Sequence, residues 1–180
     1  MKKIEIEIPD GKKAEWINGV LILVNEKSRD ITERVKTLDD ACKELGEEHP
    51  LVKEYRNLIY ADLYNRKDAI AYLKLRIIIT ALNGTWNLTF KDDFRYYPWF
   101  YMYSKAEYKE LDKGIKKKCL IVNPSNNDPD VIGGFMYGDT VDAKSTSDVY
   151  YGKWLALRTK DLAEYCGTQF INIWCDYLLG

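Results

Sequence analysis

One histidine in 180 residues is the first shortage, and it excludes any zinc site built on several imidazoles. That residue, His49, stands directly before Pro50, where a helix start accounts for it. The four cysteines, Cys42, Cys119, Cys166 and Cys175, form no CxxC pair. With no export signal legible, they read as reduced and mostly buried thiols. Phosphate-cradling motifs are missing as well: no Walker lysine loop occurs, and Gly133, Gly134 and Gly138 do not make a GxGxxG turn between strand and helix. No cofactor is therefore expected. An excess of one charge is also lacking, with 27 basic residues against 28 acidic ones. That balance argues against nucleic acid and anionic membrane as broad partners, since both need surplus Lys and Arg. Long apolar runs are absent too. LKLRIIITAL is broken by Lys74 and Arg76, so no membrane-spanning helix is expected. The start, MKKIEIEIPDG, alternates glutamate with isoleucine and has no apolar h-region, so a cytoplasmic protein is expected.

What the chain does hold is a mixture of helix and strand signals. KIEIEI has period two, Pro9-Asp10-Gly11 is turn chemistry, and Asn18-Gly19 is a strong hairpin signal before VLILV. Residues 1–26 are expected to form a three-stranded meander, a small appendage to an α+β domain over 31–180. Thr37 is placed to cap TLDDACKELG, with Gly46 as its stop. Pro50 suits the first position of PLVKEYRNLIYADLY. A further helix is expected over 68–82, with Ile70, Leu73, Ile77 and Leu82 inward. Beyond Thr85 the pattern turns aromatic and β-leaning, with CLIV and YYGKWLAL as strand candidates. One amphipathic helix runs from Thr159 to the end, its apolar residues falling at helical spacing.

Candidate chemistry is thin. Asp92-Asp93 and Cys119 are the least poor catalytic groups, and no catalytic residue is assigned. Asn126, Asn127, Asp128 and Asp130 gather oxygen ligands, but Asp128-Pro129 is turn chemistry and the spacing fits no EF-hand, so no metal site is assigned. Lys116-Lys117-Lys118 reads as a solvated helix end.

The stretch FRYYPWFYMY, Phe94 to Tyr103, is the unusual one, with seven aromatic rings in ten residues. As a strand it points Phe94, Tyr96, Pro98, Phe100 and Met102 one way, and Arg95, Tyr97, Trp99, Tyr101 and Tyr103 the other. Pro98 cannot donate to a ladder, which places the segment at an edge or a bulge. Two readings stand for the second face. Either the terminal helix covers it, or Tyr97, Trp99, Tyr101 and Arg95 line an open platform for a ligand.

ITERVKTLDDAC, AYLKLRIIITALN, FRYYPWFYMY and LAEYCGTQFINIWCDYL together resemble a family of uncharacterised proteins from gut anaerobic bacteria, often in prophage-like or mobile-element neighbourhoods. The resemblance covers nearly the whole chain, and because that family has no assigned activity it implies no catalytic residues. The stretch GGFMYGDTVDAKSTSDVYYGKWLAL is similar to the end of C-type-lectin-like domains of bacterial and phage surface proteins. It departs from them in lacking their paired cysteines and in the helix that follows.

The expectation is thus an α+β protein with an N-terminal antiparallel meander, a helical layer, an antiparallel aromatic-rich sheet and a C-terminal amphipathic helix. Its expected role is non-enzymatic, as a phage- or mobile-element-associated structural or protein-binding protein that acts through a protein partner or self-association, in the cytoplasm or a virion. The alternative is a ligand-binding module for a glycan or nucleic acid, built on Tyr97, Trp99 and Tyr101 with the 139–148 loop.

Overall fold

The computed structural model describes residues 6–17, 19–25, 30–60, 67–86, 94–122, 133–144 and 151–180. The fold is α+β. It opens with a hairpin of β1 (Lys12–Ile17) and β2 (Val20–Asn25), antiparallel with Trp16 opposite Leu21 and Ala14 opposite Leu23. Gly19 supplies the turn's left-handed backbone at φ 80°, as an Asn-Gly connection requires. The expected third strand does not form over residues 6–9, which carry no strand pairing, and residues 1–5 lie outside the described set. Among the described residues, no hairpin side chain joins either hydrophobic cluster of the fold, and Trp16 stays 74% exposed.

Helices follow as α1 (Ile31–Arg34), α2 (Leu38–Leu45), α3 (Pro50–Tyr60) and α4 (Lys67–Asn83). Local chemistry sets their ends. Thr37 Oγ1 accepts from the Asp40 N–H at 3.1 Å, and the Asp40 carboxylate accepts from the Thr37 N–H at 3.0 Å, a reciprocal capping box. The Thr37 hydroxyl also holds the Asp40 carboxyl below its ordinary pKa. Thr37→Ala is expected to cost about 1 kcal/mol of stability, read as a lower urea midpoint. His49 takes the role its position implies: its Nδ1 accepts from the Leu51 N–H at 3.3 Å where α3 begins.

The centre of the molecule is α4. Leu73, Leu75, Ile77, Ile78, Ile79 and Leu82 are all buried, which wraps apolar surface around most of the helix rather than along one stripe. A helix apolar on nearly every side must be enclosed. Here α2 and α3 pack on it from the N-terminal half of the chain, and two C-terminal helices close over it.

The aromatic run is β3 (Phe94–Tyr103), and it pairs antiparallel with β4 (Gly134–Lys144). Between them the chain forms α5 (Lys105–Glu110), capped by Ser104, and α6 (Lys113–Lys116). The lysine run 116–118 closes α6, as its charge pattern suggests. Trp99 lies opposite Asp139 while Phe100 lies opposite Tyr137, so Gly138 is the extra residue of a β-bulge. On the far edge, Tyr96 and Leu157 exchange backbone hydrogen bonds of 2.9 Å each. Over its described residues, 151–157, YYGKWLAL is therefore not a strand: Lys153–Leu155 make a 3-10 turn, and among these residues only Leu157 pairs. CLIV likewise reduces to one bridge, Leu120 with Phe135.

The C-terminal segment divides into α7 (Lys160–Gln169) and α8 (Ile171–Leu179), where one helix is expected. Phe170, at φ −112° and ψ 28°, breaks the helical path. The bend lets α7 lie on the β3–β4 ribbon while α8 lies chiefly along α4. At Gly167, α7 comes so close that a Cβ there would stand 2.6 Å from the Tyr137 ring and 2.7 Å from Pro98. No other residue fits at that crossing without pushing the helix away.

Candidate functional site

The ribbon settles where each residue of the aromatic run goes. The terminal helices cover the Pro98–Phe100 face and leave the opposite one alone. Phe100 stacks on Phe135 at 4.8 Å and packs on Trp174 at 5.4 Å, joining the main core. Phe94 and Met102, expected to join Phe100 inside, remain exposed at the two ends of the strand.

The second face is split along its length. Tyr97 is fully buried and Arg95 is 1% exposed, so neither belongs to an open platform. Their cover is a second small cluster, in which Tyr97, Ala143 and Ala156 pack with Trp86, Val141 and Tyr151. Burial pushes the Tyr97 hydroxyl's pKa up, and the neighbouring Arg95 guanidinium pulls it partly back. Past the bulge the face opens. Trp99 is 39% exposed and Tyr101 42% exposed, with Tyr103 half-buried beside them.

These three rings form a ladder. The Trp99 and Tyr101 centroids are 4.6 Å apart at 72°, and Tyr101 stacks on Tyr103 at 5.8 Å and 15°. Gly138 makes the arrangement fit, because a Cβ there would lie 2.8 Å from the Trp99 ring and 2.9 Å from the Tyr101 ring. Sequence reasoning saw the glycine but not its task, which depends on the bulge. Beyond Tyr103 lies a shallow hollow of about 640 Å³ lined by Ala106, Glu107, Lys109, Glu110 and Leu111. An aromatic centre thus meets a charged border.

Asp92, Asp93, Asn126, Asn127, Asp128, Asp130 and the 145–148 part of the loop lie outside the described residues. Among the described residues, no three His, Cys, Asp or Glu side chains gather as a metal site, and no helix is long and apolar enough to cross a membrane. Cys119 is half-buried, and burial raises its thiol, which opposes thiolate chemistry at neutral pH.

The buried thiols carry a pH dependence. Burial pushes Cys166 up to about 12 and Cys175 up to about 11, from an ordinary value of 9.0. Below pH 9 both folded and unfolded chains keep these protons, and the contribution to stability is fully present. As pH climbs from 9 toward 12, the unfolded chain ionises first, and stability falls. The urea midpoint is expected to be lower at pH 10.5 than at pH 8, with a shallower decline in Cys166→Ala. Equal declines in the two proteins would contradict the assignment.

Comparisons with protein-family models, with curated proteins and with solved structures each return no match.

Proposed function

We propose that the protein is a non-enzymatic binding protein that meets a protein partner through the open half of the β3–β4 ribbon, with Trp99, Tyr101 and Tyr103 at the centre of contact. The observation that carries this reading is the position of Tyr101 in the ladder. Trp99 packs against it from one side and Tyr103 from the other. A sugar or a nucleobase binds by lying on a free ring face, and Tyr101 has both of its neighbours in place already. Tyr101 stays 42% exposed between those neighbours, and a phenol so held suits the mixed polar and apolar surface of a protein. Trp and Tyr are enriched at the centres of such interfaces. The rings hold one another in place, so little side-chain entropy remains to be lost on binding. Glu107, Lys109 and Glu110 around the neighbouring hollow provide a polar rim.

The prophage- or mobile-element-associated family that the sequence resembles supplies the setting, a structural or adaptor role in which the partner is another protein or a second copy of this chain. Photo-crosslinking in cells of the source organism tests the proposal, with p-benzoylphenylalanine placed at Tyr101 and, as a control, at exposed Glu54 on α3. A discrete protein adduct is expected from position 101 alone. Trp99→Ala is expected to weaken that complex about 30-fold, the loss typical of a central interface residue. A strip that yields no protein adduct, yet shows Trp99-dependent binding on a glycan array, would sink the reading in favour of the glycan module.

A further inference from the structure

The β3–β4 ribbon has two strands, so each strand presents an outer edge. Backbone parity shows which groups point outward. Tyr96 exchanges both of its backbone hydrogen bonds with Leu157, outside the ribbon. In an antiparallel ladder such outward residues alternate with inward-bonded ones, and a residue and its opposite number are of one kind. Asp142 lies opposite Tyr96 and Thr140 opposite Pro98, so Thr140 and Asp142 turn their backbone groups to the outer edge of β4. Phe135, on the same edge, exchanges bonds of 2.8 and 2.9 Å with Leu120. The chain before Leu120 turns off into α6, and from Tyr137 to Asp142 this edge meets no backbone partner among the described residues. The Thr140 N–H turns instead to the carboxylate of its own neighbour, Asp139, at 2.7 Å. The described chain on either side of residues 123–132 ends at Val122 and Gly133, at the opposite end of β4.

Beside this edge a groove of about 470 Å³ opens between β4 and α7. Met136, Tyr137, Gly138 and Ile171 are among its walls, and Lys118 and Glu164 are its charged members. The Tyr137 hydroxyl bonds Thr140 Oγ1 at 2.7 Å and feels the charges of both Glu164 and Asp139. Asp139, Asp142 and Glu164 are all exposed, so carboxylates outnumber Lys118 along this border. That charge decides between occupants. A second copy of β4 laid antiparallel on the edge sets carboxylates against their own kind, which destabilises a strand pair. A basic segment meets no such opposition.

We propose that the outer edge of β4 takes a short, extended, basic segment of a protein partner as an added strand, bonded to Thr140 and Asp142 through its backbone. Main-chain bonds supply the attachment in this mode, and alternate side chains supply the selection. An apolar side chain of the segment enters the groove between Met136 and Ile171, and a lysine or arginine meets the carboxylates. The segment's carbonyl replaces the Asp139 carboxylate on the Thr140 N–H, which frees that carboxylate to face the incoming cation. From Tyr137 to Asp142 the edge runs about 17 Å, enough for roughly five residues of partner. The aromatic ladder stands on a face of β3 and this edge belongs to β4, so either can fail without the other.

The test uses the whole chain, ¹⁵N-labelled, and end-blocked hexapeptides of alternating Lys-Val or Glu-Val. Two further Lys-Val peptides are N-methylated, one at its valines and one at its lysines. The plain Lys-Val peptide is expected to shift the Thr140 and Asp142 amides saturably, and the Glu-Val peptide to leave them unmoved. One methylated form is expected to bind roughly tenfold more weakly than the other, because only alternate amides of a strand face its neighbour. The Asp142 amide is expected to exchange with deuterium quickly in the free chain and roughly tenfold more slowly with the Lys-Val peptide bound. Thr140→Pro removes an N–H that the β3 ladder does not use, so the fold is expected to stand while Lys-Val binding is lost. No response to the Lys-Val peptide overturns the proposal, and so does equal binding of Lys-Val and Glu-Val or of the two methylated forms. Slow exchange at Asp142 in the free chain also overturns it, since the chain then closes its own edge. A dimer in sedimentation that Thr140→Pro dissolves overturns it in favour of a second copy. If Thr140→Pro does not fold, the methylated pair decides.

Discussion

Trp174→Ala is expected to lower the unfolding free energy by about 4 kcal/mol, a large share of what a domain this size possesses. The side chain is fully buried on α8. It reaches three layers at once: Phe100 on β3 at 5.4 Å, Tyr151 at 5.6 Å and Tyr177 on its own helix at 6.2 Å. Truncation leaves a cavity whose walls are rings on different elements, and such walls cannot all move inward together. Among the described residues the indole N–H finds no oxygen or nitrogen acceptor and meets the weakly accepting Cys166 sulfur instead. Trp174→Phe therefore gives up volume but no strong hydrogen bond, and is expected to cost less than half as much as alanine. Urea unfolding followed by far-UV circular dichroism measures both. Equal losses for the two variants would mean that the N–H matters more than the volume.

Asn83→Leu is expected to cost about 3 kcal/mol, despite replacing a polar core residue by an apolar one of similar size. Asn83 ends α4, and its amide donates to the Ala156 carbonyl at 2.9 Å while its carbonyl accepts from the Arg158 N–H at 3.1 Å. Leucine leaves both backbone groups without their partner, and the desolvation penalty of each is what dominates. The pair of bonds also sets the register of Leu157 against Tyr96. Loss of Asn83 should loosen Ala156 over Tyr97, so Tyr97 is expected to become more reactive to iodination in the variant at urea concentrations well below its midpoint. A stability loss with no change at Tyr97 would separate the two effects.

These two residues also show what the sequence can and cannot convey. Asn83-Gly84 is legible as a helix end, because capping chemistry is local, and Thr37, Pro50 and Gly46 are legible for the same reason. The Asn83 bonds to residues more than seventy positions later are not, since nothing near Asn83 encodes them. The aromatic run repeats the lesson. Alternation assigns its two faces correctly, and Pro98 announces an irregularity that appears as the bulge one step on. Which part of the second face is covered depends on Trp86, Tyr151 and Ala156 arriving from elsewhere in the chain. Periodicity carries no information on that arrival, so Tyr97 and Arg95 read like Trp99 and Tyr101 although they lie inside. The break at Phe170 is similar: no proline or glycine marks it, and it follows from α7 and α8 serving different surfaces.

Hydroxyl-radical footprinting of the free protein, read by mass spectrometry, tests the divided ribbon most directly. Trp99 and Tyr101 are expected to oxidise readily, while Tyr97 and Phe100 on the same strand stay as protected as Trp174. Protection of Trp99 and Tyr101 to the level of Trp174 would contradict the account, because the face proposed to meet a partner would then be closed.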